Sequence, residues 1–210
     1  MSENIIESER RLIVSRAVND DALDVLFRKA RTHRNWRPGA VTPQMLMAAY
    51  DLARWGPTTN NTTPARFVFV MSQEAKERLK PHLNKGNVVQ TMAAPATAII
   101  AYDTHFYDKM DKLSSNPNAR ESWSQKSPAE IQESAFRGGT LQGAYFVLAA
   151  RAIGLDCGPM GGFDNAGVDR EFFAGTTIKS NFLCNLGYGD ETALKPRAGR
   201  LDFDEACRII

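Results

Sequence analysis

The sequence predicts an α+β protein, a mixed β-sheet flanked by helices, on three observations. Residues 66–71 (RFVFVM), 96–102 (ATAIIAY) and 181–188 (NFLCNLGY) are short β-rich runs, the last placing Phe182, Cys184, Leu186 and Tyr188 on one side. Segments with helical periodicity and recognisable caps separate them. One further segment, LQGAYFVLAARAIG at 141–154, is apolar almost all round. A helix of that kind belongs in the middle of a core or at a subunit interface, and a long central helix at a dimer interface is the expectation carried forward.

Taken in order, Asp20 and Asp21 are placed to cap a helix. Its Leu23, Leu26, Phe27 and Ala30 fall at i, i+3, i+4 and i+7, so one face is expected to be buried. The basic cluster RKARTHRNWR at 28–37 then lies at the helix C-terminus and the turn beyond. Thr42 and Pro43 form a cap followed by a favoured first helical residue, and Leu46, Ala49, Tyr50 and Ala53 repeat the spacing until Gly56. The stretch RWGPTTNNTTPA at 54–65 follows, a run of small hydroxyl and amide side chains between Pro57 and Pro64. By itself it reads equally well as a solvent loop, because Thr and Asn satisfy turn backbones locally. Residues 103–127 are polar and turn-rich, a surface insertion with some helix, positioned to serve as a lid. Ser127-Pro128-Ala129-Glu130 is a capping box that opens a helix running to Gly154, interrupted only by RGG at 137–139. With no repeat, low-complexity tract or linker, residues 20–210 read as a single domain behind an N-terminal extension of 1–19.

The totals exclude several function classes. With 26 basic and 24 acidic side chains, no global field recruits nucleic acid or an anionic membrane, so any anion site is local. Cys157, Cys184 and Cys207 are odd in number and never form a CxxC pair, which argues against a disulfide framework or a zinc knuckle and fits a reducing cytoplasm. Charges occupy the first twenty residues in place of a signal core, and no apolar run spans a bilayer. Rossmann, P-loop and zinc-protease motifs are missing, and His33, His82 and His105 have no carboxylate at ligand spacing, so no metal is expected. No nucleophile elbow is present, and the positive charge around His33 would make it a poor base.

Three features remain: Arg31 with Arg34, the neutral loop at 57–64, and the Gly-rich turn CGPMGGFD at 157–164. A guanidinium fork suits phosphate, amides and hydroxyls suit the edge of a polar heterocycle, and glycines admit a flat ring to the backbone. Together they suit a phosphorylated planar cofactor. Each feature alone is more often a solvated face, a loop or a helix C-cap.

In order and spacing, ARTHRNW, RWGPTTNNTTPARFVF, KGNVVQTMAAP, AYFVLAARAIGLDCGPMGGFD, FFAGTTIKSNFLCNLGYGD and PRAGRLDFDEAC resemble the FMN-dependent nitroreductase family, within it the RutE-like branch of malonic semialdehyde reductases. The resemblance implies FMN contacts at Arg31, His33 and Asn35 for phosphate and ribityl. It implies that Pro57, Thr58, Thr59 and Asn61 reach the flavin across a homodimer. Asn87 and Gln90 would meet the pyrimidine end, Gln90 standing where lysine is common. Pro159, Met160 and Gly161 would pack near N5, Gly161 replacing a common glutamate and widening the pocket. Arg197 and Arg200 would supply the C-terminal grip on phosphate, in a register left open between them.

The implied activity is ping-pong transfer of a hydride from NADH or NADPH through FMN to a small electrophile, with no catalytic side chain. The implied acceptor is malonic semialdehyde, reduced to 3-hydroxypropanoate, with Arg66 or Lys179 as candidate partners for its carboxylate. Broad reduction of nitro compounds and quinones is the alternative, and a non-catalytic flavin-binding protein is the rival from another class.

Overall fold

The computed structural model describes residues 17–210, so most of the expected N-terminal extension lies outside the described residues. The helices are α1 (Asp20–Leu23), α2 (Pro43–Ala53), α3 (Gln73–Leu79), α4 (Lys85–Ala93), α5 (Met110–Leu113), α6 (Ala119–Ser124), α7 (Pro128–Ala152), α8 (Asn165–Phe172) and α9 (Phe203–Ala206). The strands are β1 (Trp36–Arg37), β2 (Ala65–Val70), β3 (Ala96–Asp103), β4 (Asp156–Met160) and β5 (Ile178–Gly189). They form one sheet in the order β1–β5–β3–β2, with β4 also paired to β5. Among the described residues all strand pairs run antiparallel, and an isolated parallel bridge joins Thr32 to Cys157.

The three β-rich runs become β2, β3 and β5. In β3 successive side chains enter opposite layers: Ile100 joins Leu46, Phe146 and Leu186 under α2 and α7, while Ile99 joins Leu79, Val168 and Leu183 under α3 and α8. Strand β3 is therefore covered on both faces, which is why it reads as a continuous apolar run. The expected caps form. Thr42 accepts from the Met45 amide and Ser127 closes a capping box with Glu130.

The glycines of RGG, read as an interruption of α7, are together with Gly143 its contact surface. A Cβ at Gly139 would stand 2.7 Å from Tyr102 Cβ, and one at Gly143 would stand 2.7 Å from the Phe182 ring, so only glycine lets the helix lie this close to the sheet. The apolar middle of α7 is thus largely core, with Phe136 and Leu141 exposed on its outer side.

Two segments differ from expectation. Asn19, not Asp20 or Asp21, caps α1, and after Leu23 the chain widens into a π-type turn over Asp24–Arg28. The wider turn breaks the 3.6-residue period, so Leu23, Leu26, Phe27 and Ala30 form no buried face and Phe27 is half exposed. The insertion at 103–127 has its own small core, in which Phe106, Met110 and Trp123 pack with Tyr102 and Ala135. Among the described residues, no helix is long and apolar enough to cross a membrane.

Candidate functional site

The π-type turn ends at the basic cluster, and residues 195–200 fold back onto it. Arg31 Nη2 donates to Lys195 O at 2.5 Å, and Arg197 Nη2 donates to Arg28 O at 3.0 Å and Ala30 O at 2.8 Å. The two segments are cross-tied by the side chains expected to hold phosphate. Arg31, Arg197 and Arg200 line one pocket of about 540 Å³ with Arg28 and Arg151. Arg200 turns its Nη1 onto Ala198 O and Gly199 O, within its own turn. An adjoining cavity of about 460 Å³ takes in Asn35 with Arg31, Arg34 and Lys195.

His33 leaves this open face. Its ring is 4% exposed and packs so closely on Gly189 that a Cβ there would fall 2.0 Å from Nδ1. Nε2 lies 3.5 Å from Asp156 Oδ1, and the His33 amide donates to Cys157 O at 3.0 Å. The segment carrying Arg31 is thereby joined to the start of β4.

At the other end of β4 the chain gathers a second group of expected contacts. Gln90 Nε2 donates to Asn87 Oδ1 at 2.6 Å and lies 3.7 Å from Met160 Sδ, and Asn87 Nδ2 donates to Gly162 O at 2.8 Å. Thr91 Oγ1 lies 3.6 Å from the same sulfur. Asn185, fully buried, ties this group to the sheet by donating to Thr91 Oγ1 and accepting from Thr97 Oγ1. Helix α4, which carries Asn87 and Gln90, is held at its C-terminus by the buried Lys76. Its ammonium donates to Met92 O and Ala94 O, and desolvation lowers its pKa. Just past the end of β4, a Cβ built on Gly161 meets nothing within 4 Å. Four residue steps at ~3.3 Å put the arginine end and the amide end of β4 roughly 13 Å apart.

The loop expected to complete the site stands elsewhere in the chain. Thr59–Asn61 is a short 3₁₀ turn, and Asn60, Asn61 and Thr63 have φ of 50°, 54° and 38°. Asparagine tolerates this region, but a β-branched residue there is a genuine outlier, and such strain costs of order 1–3 kcal/mol. Pro57 O accepts from Tyr145 Oη at 3.0 Å, Thr58 Oγ1 accepts from the Thr63 amide at 3.1 Å, and Asn61 Nδ2 donates to Leu113 O at 2.9 Å. None of these residues lines the arginine pocket. Among the described residues, the buried side-chain polar atoms without a partner are His33 Nδ1 and Thr62 Oγ1. Each falls in a segment expected to meet the cofactor.

Residues 27–188 match the family model described as the nitroreductase family. The chain belongs to that family. A protein of Stenotrophomonas maltophilia strain K279a, provisionally named an NADH dehydrogenase/NAD(P)H nitroreductase, is 55% identical over 196 residues, covering 93% of this chain and all of that one. Among solved structures, a provisionally named nitroreductase from Exiguobacterium sibiricum in complex with FMN aligns with a TM-score of 0.81 at 19% identity, over 94% of this chain and 100% of the other. A provisionally named nitroreductase of Bacillus subtilis aligns with a TM-score of 0.80 at 20% identity, over 91% and 100%.

This member of the nitroreductase family has pocket residues that sequence reasoning missed. Arg151, in the last turn of α7, lines the arginine pocket and donates to Leu26 O at 3.0 Å. Its signal was a lone cation inside an apolar helix. Arg28 also lines the pocket, but its ion pairs at 2.7 Å with Asp20 and with Asp24 offset its charge. Of the two candidates for an acceptor carboxylate, Lys179 is half exposed and 3.8 Å from Asp169, and Arg66 is bound to Asp103.

Proposed function

We propose that this chain is an FMN-dependent NAD(P)H oxidoreductase that reduces a small electrophile, working as a homodimer with shared sites. The observation that carries the reading is β4. One strand links a pocket of arginines to the Asn87–Gln90–Met160 group, with open space over Gly161 between the strand's end and solvent. The donor set fits such a cofactor: the guanidinium groups of Arg31 and Arg197 line one pocket for a phosphate, and the Asn87 amide stands at the far end of β4 for a polar ring edge. FMN held there would supply hydride transfer between NAD(P)H and the acceptor.

The chain's own residues orient and exclude. Arg31 and Arg197 would hold the phosphate, a stronger acceptor than their present backbone carbonyl partners, with Arg151 adding charge in the same pocket. Asn87 offers an amide to the polar edge of the ring system, and Pro159, Met160 and Gly161 form the floor. At Gly161 an added Cβ would meet nothing within 4 Å, so no neighbouring group obstructs the approach there. Pro57, Thr58, Thr59 and Asn61 lack any link to the arginine pocket of their own chain, which fits a loop that completes the partner subunit's site. Exposed Phe136 and Leu141 on α7, with Met47 on α2 and Trp55 just past its end, provide apolar surface for that subunit.

The acceptor we propose is malonic semialdehyde, reduced to 3-hydroxypropanoate, on the branch-level resemblance of the motifs. Nitro compounds are the second reading, favoured by the provisional name of the 55%-identical relative. The test is an assay of FMN-loaded protein with NADH and NADPH against semialdehydes, nitroaromatics and quinones. A kcat/KM for malonic semialdehyde at least about tenfold above the others supports the first reading. The reverse order supports the second, and a protein that refuses FMN overturns both.

A further inference from the structure

The 57–64 loop holds a backbone that its sequence does not favour, with three left-handed residues in four, one of them Thr63. Its internal bonds close the turn: the Asn61 and Thr62 amides donate to Thr58 O and Thr59 O at 3.0 Å, and the Thr63 amide donates to Thr58 Oγ1 at 3.1 Å. A turn with this disfavoured backbone persists only while the surrounding structure holds its ends, so these bonds open when an end is released.

The entry is tied by Tyr145 Oη to Pro57 O and the middle by Asn61 Nδ2 to Leu113 O, and the exit is tied by Arg66. Its Nη1 reaches three successive carbonyl oxygens at the loop's exit, Thr63 O at 3.2 Å, Pro64 O at 3.3 Å and Ala65 O at 2.9 Å. Its Nη2 donates to Asp103 Oδ2 at 2.8 Å. Asp103 is itself fixed, since Oδ1 accepts from Thr177 Oγ1 at 2.6 Å and from the His105 amide at 2.9 Å, and its own amide donates to Pro64 O at 2.9 Å. Its side chain is 14% exposed and that of Arg66 is 27% exposed, so water competes weakly for these bonds. Carbonyls on one side and a carboxylate on the other match a planar guanidinium with five donors, and an ammonium cannot reach both at once.

We propose that Arg66 is a positioning residue for the 57–64 loop. Together with Asp103 it holds the left-handed backbone at a set place over the sheet edge, so cofactor affinity depends on a side chain that does not touch the cofactor. The proposal rests on the reading above that this loop meets the flavin of the other subunit. It also withdraws Arg66 from the role of partner to an acceptor carboxylate, because its fork is used within the protein.

The experiment compares full-length wild type with Arg66→Met, Arg66→Lys and the milder Thr177→Val, in two measurements. Amide exchange is followed on flavin-free protein at residues 61–63, and FMN affinity is measured by flavin fluorescence quenching. In Arg66→Met, exchange at 61–63 should rise at least about tenfold while β3 and β5 keep their protection, because the opening is local. The Kd for FMN should rise by about tenfold, and Arg66→Lys should fall between wild type and methionine in both measurements. KM for anionic and neutral acceptors should change by the same factor.

Unchanged exchange at 61–63 overturns the proposal, as does a KM increase confined to anionic acceptors. Faster exchange with unchanged FMN affinity overturns the positioning claim in a different way, because it shows that the loop does not meet the flavin. If Arg66→Met does not fold, Thr177→Val carries the test. Loss of one Asp103 partner should shift both measurements in the same direction by about threefold, and no shift overturns the proposal.

Discussion

Replacing Asn185 with leucine tests whether the polar seam beneath β4 holds the site's floor in place. Asn185 is fully buried between Thr97 and Thr91, which are fully buried too, and makes one side-chain bond to each, at 2.7 Å and 3.2 Å. Leucine has the same number of side-chain heavy atoms and abolishes both bonds. Thr97 loses its side-chain acceptor, and an orphaned buried hydroxyl costs about 1–3 kcal/mol. Thr91 keeps its contact with Met160, so the second loss is an ordinary bond of about 0.5–1.5 kcal/mol. The sum is about 2–4 kcal/mol, a large share of a total stability of about 5–15 kcal/mol. At about 2–4 °C per kcal/mol for a domain of this size, Tm should fall by about 5–15 °C. The assay is thermal unfolding of flavin-free protein followed by circular dichroism at fixed protein concentration, since assembly shifts apparent stability. Adding Thr97→Val removes the orphaned hydroxyl and should recover about 1–2 kcal/mol. A single variant within about 0.5 kcal/mol of wild type, or a double variant less stable than the single one, would refute this account of the seam.

The remaining predictions concern cofactor retention, assembly and pH. Arg31→Ala should weaken FMN binding about 10–100-fold, the worth of about 1.5–3 kcal/mol for a hydrogen bond to a charged group, and a variant still yellow at micromolar concentration would exclude Arg31 from the phosphate. Arg197→Ala should act with similar strength and Arg200→Ala more weakly, because Arg197 bridges to Arg28 and Ala30 while Arg200 folds onto its own turn; the opposite ranking in an FMN titration reassigns the register. Co-refolding an Arg31 variant with a Thr59/Asn61 double variant should restore FMN to roughly half of the sites in mixed dimers, since one site then collects every lesion and the other is intact. No recovery in confirmed heterodimers would show that each site is built within one chain. Asp103 has its carboxyl pKa lowered: burial opposes the shift, but bonds from Thr177 and the His105 amide and the Arg66 charge outweigh it. Its stabilising contribution is therefore complete above the unfolded value near ~3.9 and is lost as pH falls through the lower native value. Denaturant titrations from pH 5 downward should show a shallower acid limb in Asp103→Asn, and an unchanged slope would contradict the assignment.

Much of the fold was legible locally. Strands β2, β3 and β5 show their β-rich composition, Thr42-Pro43 marks the start of α2, and Ser127 with Glu130 marks that of α7, because caps and periodicity are satisfied within a few residues. The grouping of Arg31 with Arg197, and of Asn87 with Gln90 and Met160, was expected only through the resemblance of whole motifs to a known family. Composition by itself left a basic cluster, a polar loop and a glycine-rich turn, each with a simpler explanation.

What tertiary structure decided was the state of residues whose partners lie far along the chain. The segment DCGPM has no strand periodicity and becomes β4 because β5 offers it a ladder. Arg151 shows as an ordinary helical cation until the π-type turn folds back against α7. His33, in the middle of a basic cluster, is buried because Gly189 leaves a space where its ring fits. Arg66 could have faced a substrate, and only the meeting of β2 with the end of β3 turns its fork inward to Asp103 and the loop carbonyls. Sequence specifies the bonds a segment can make with itself and the side chains it can offer. Which of those side chains end up facing the cofactor, and which the protein interior, is determined by distant segments that compete for the same donors and the same space.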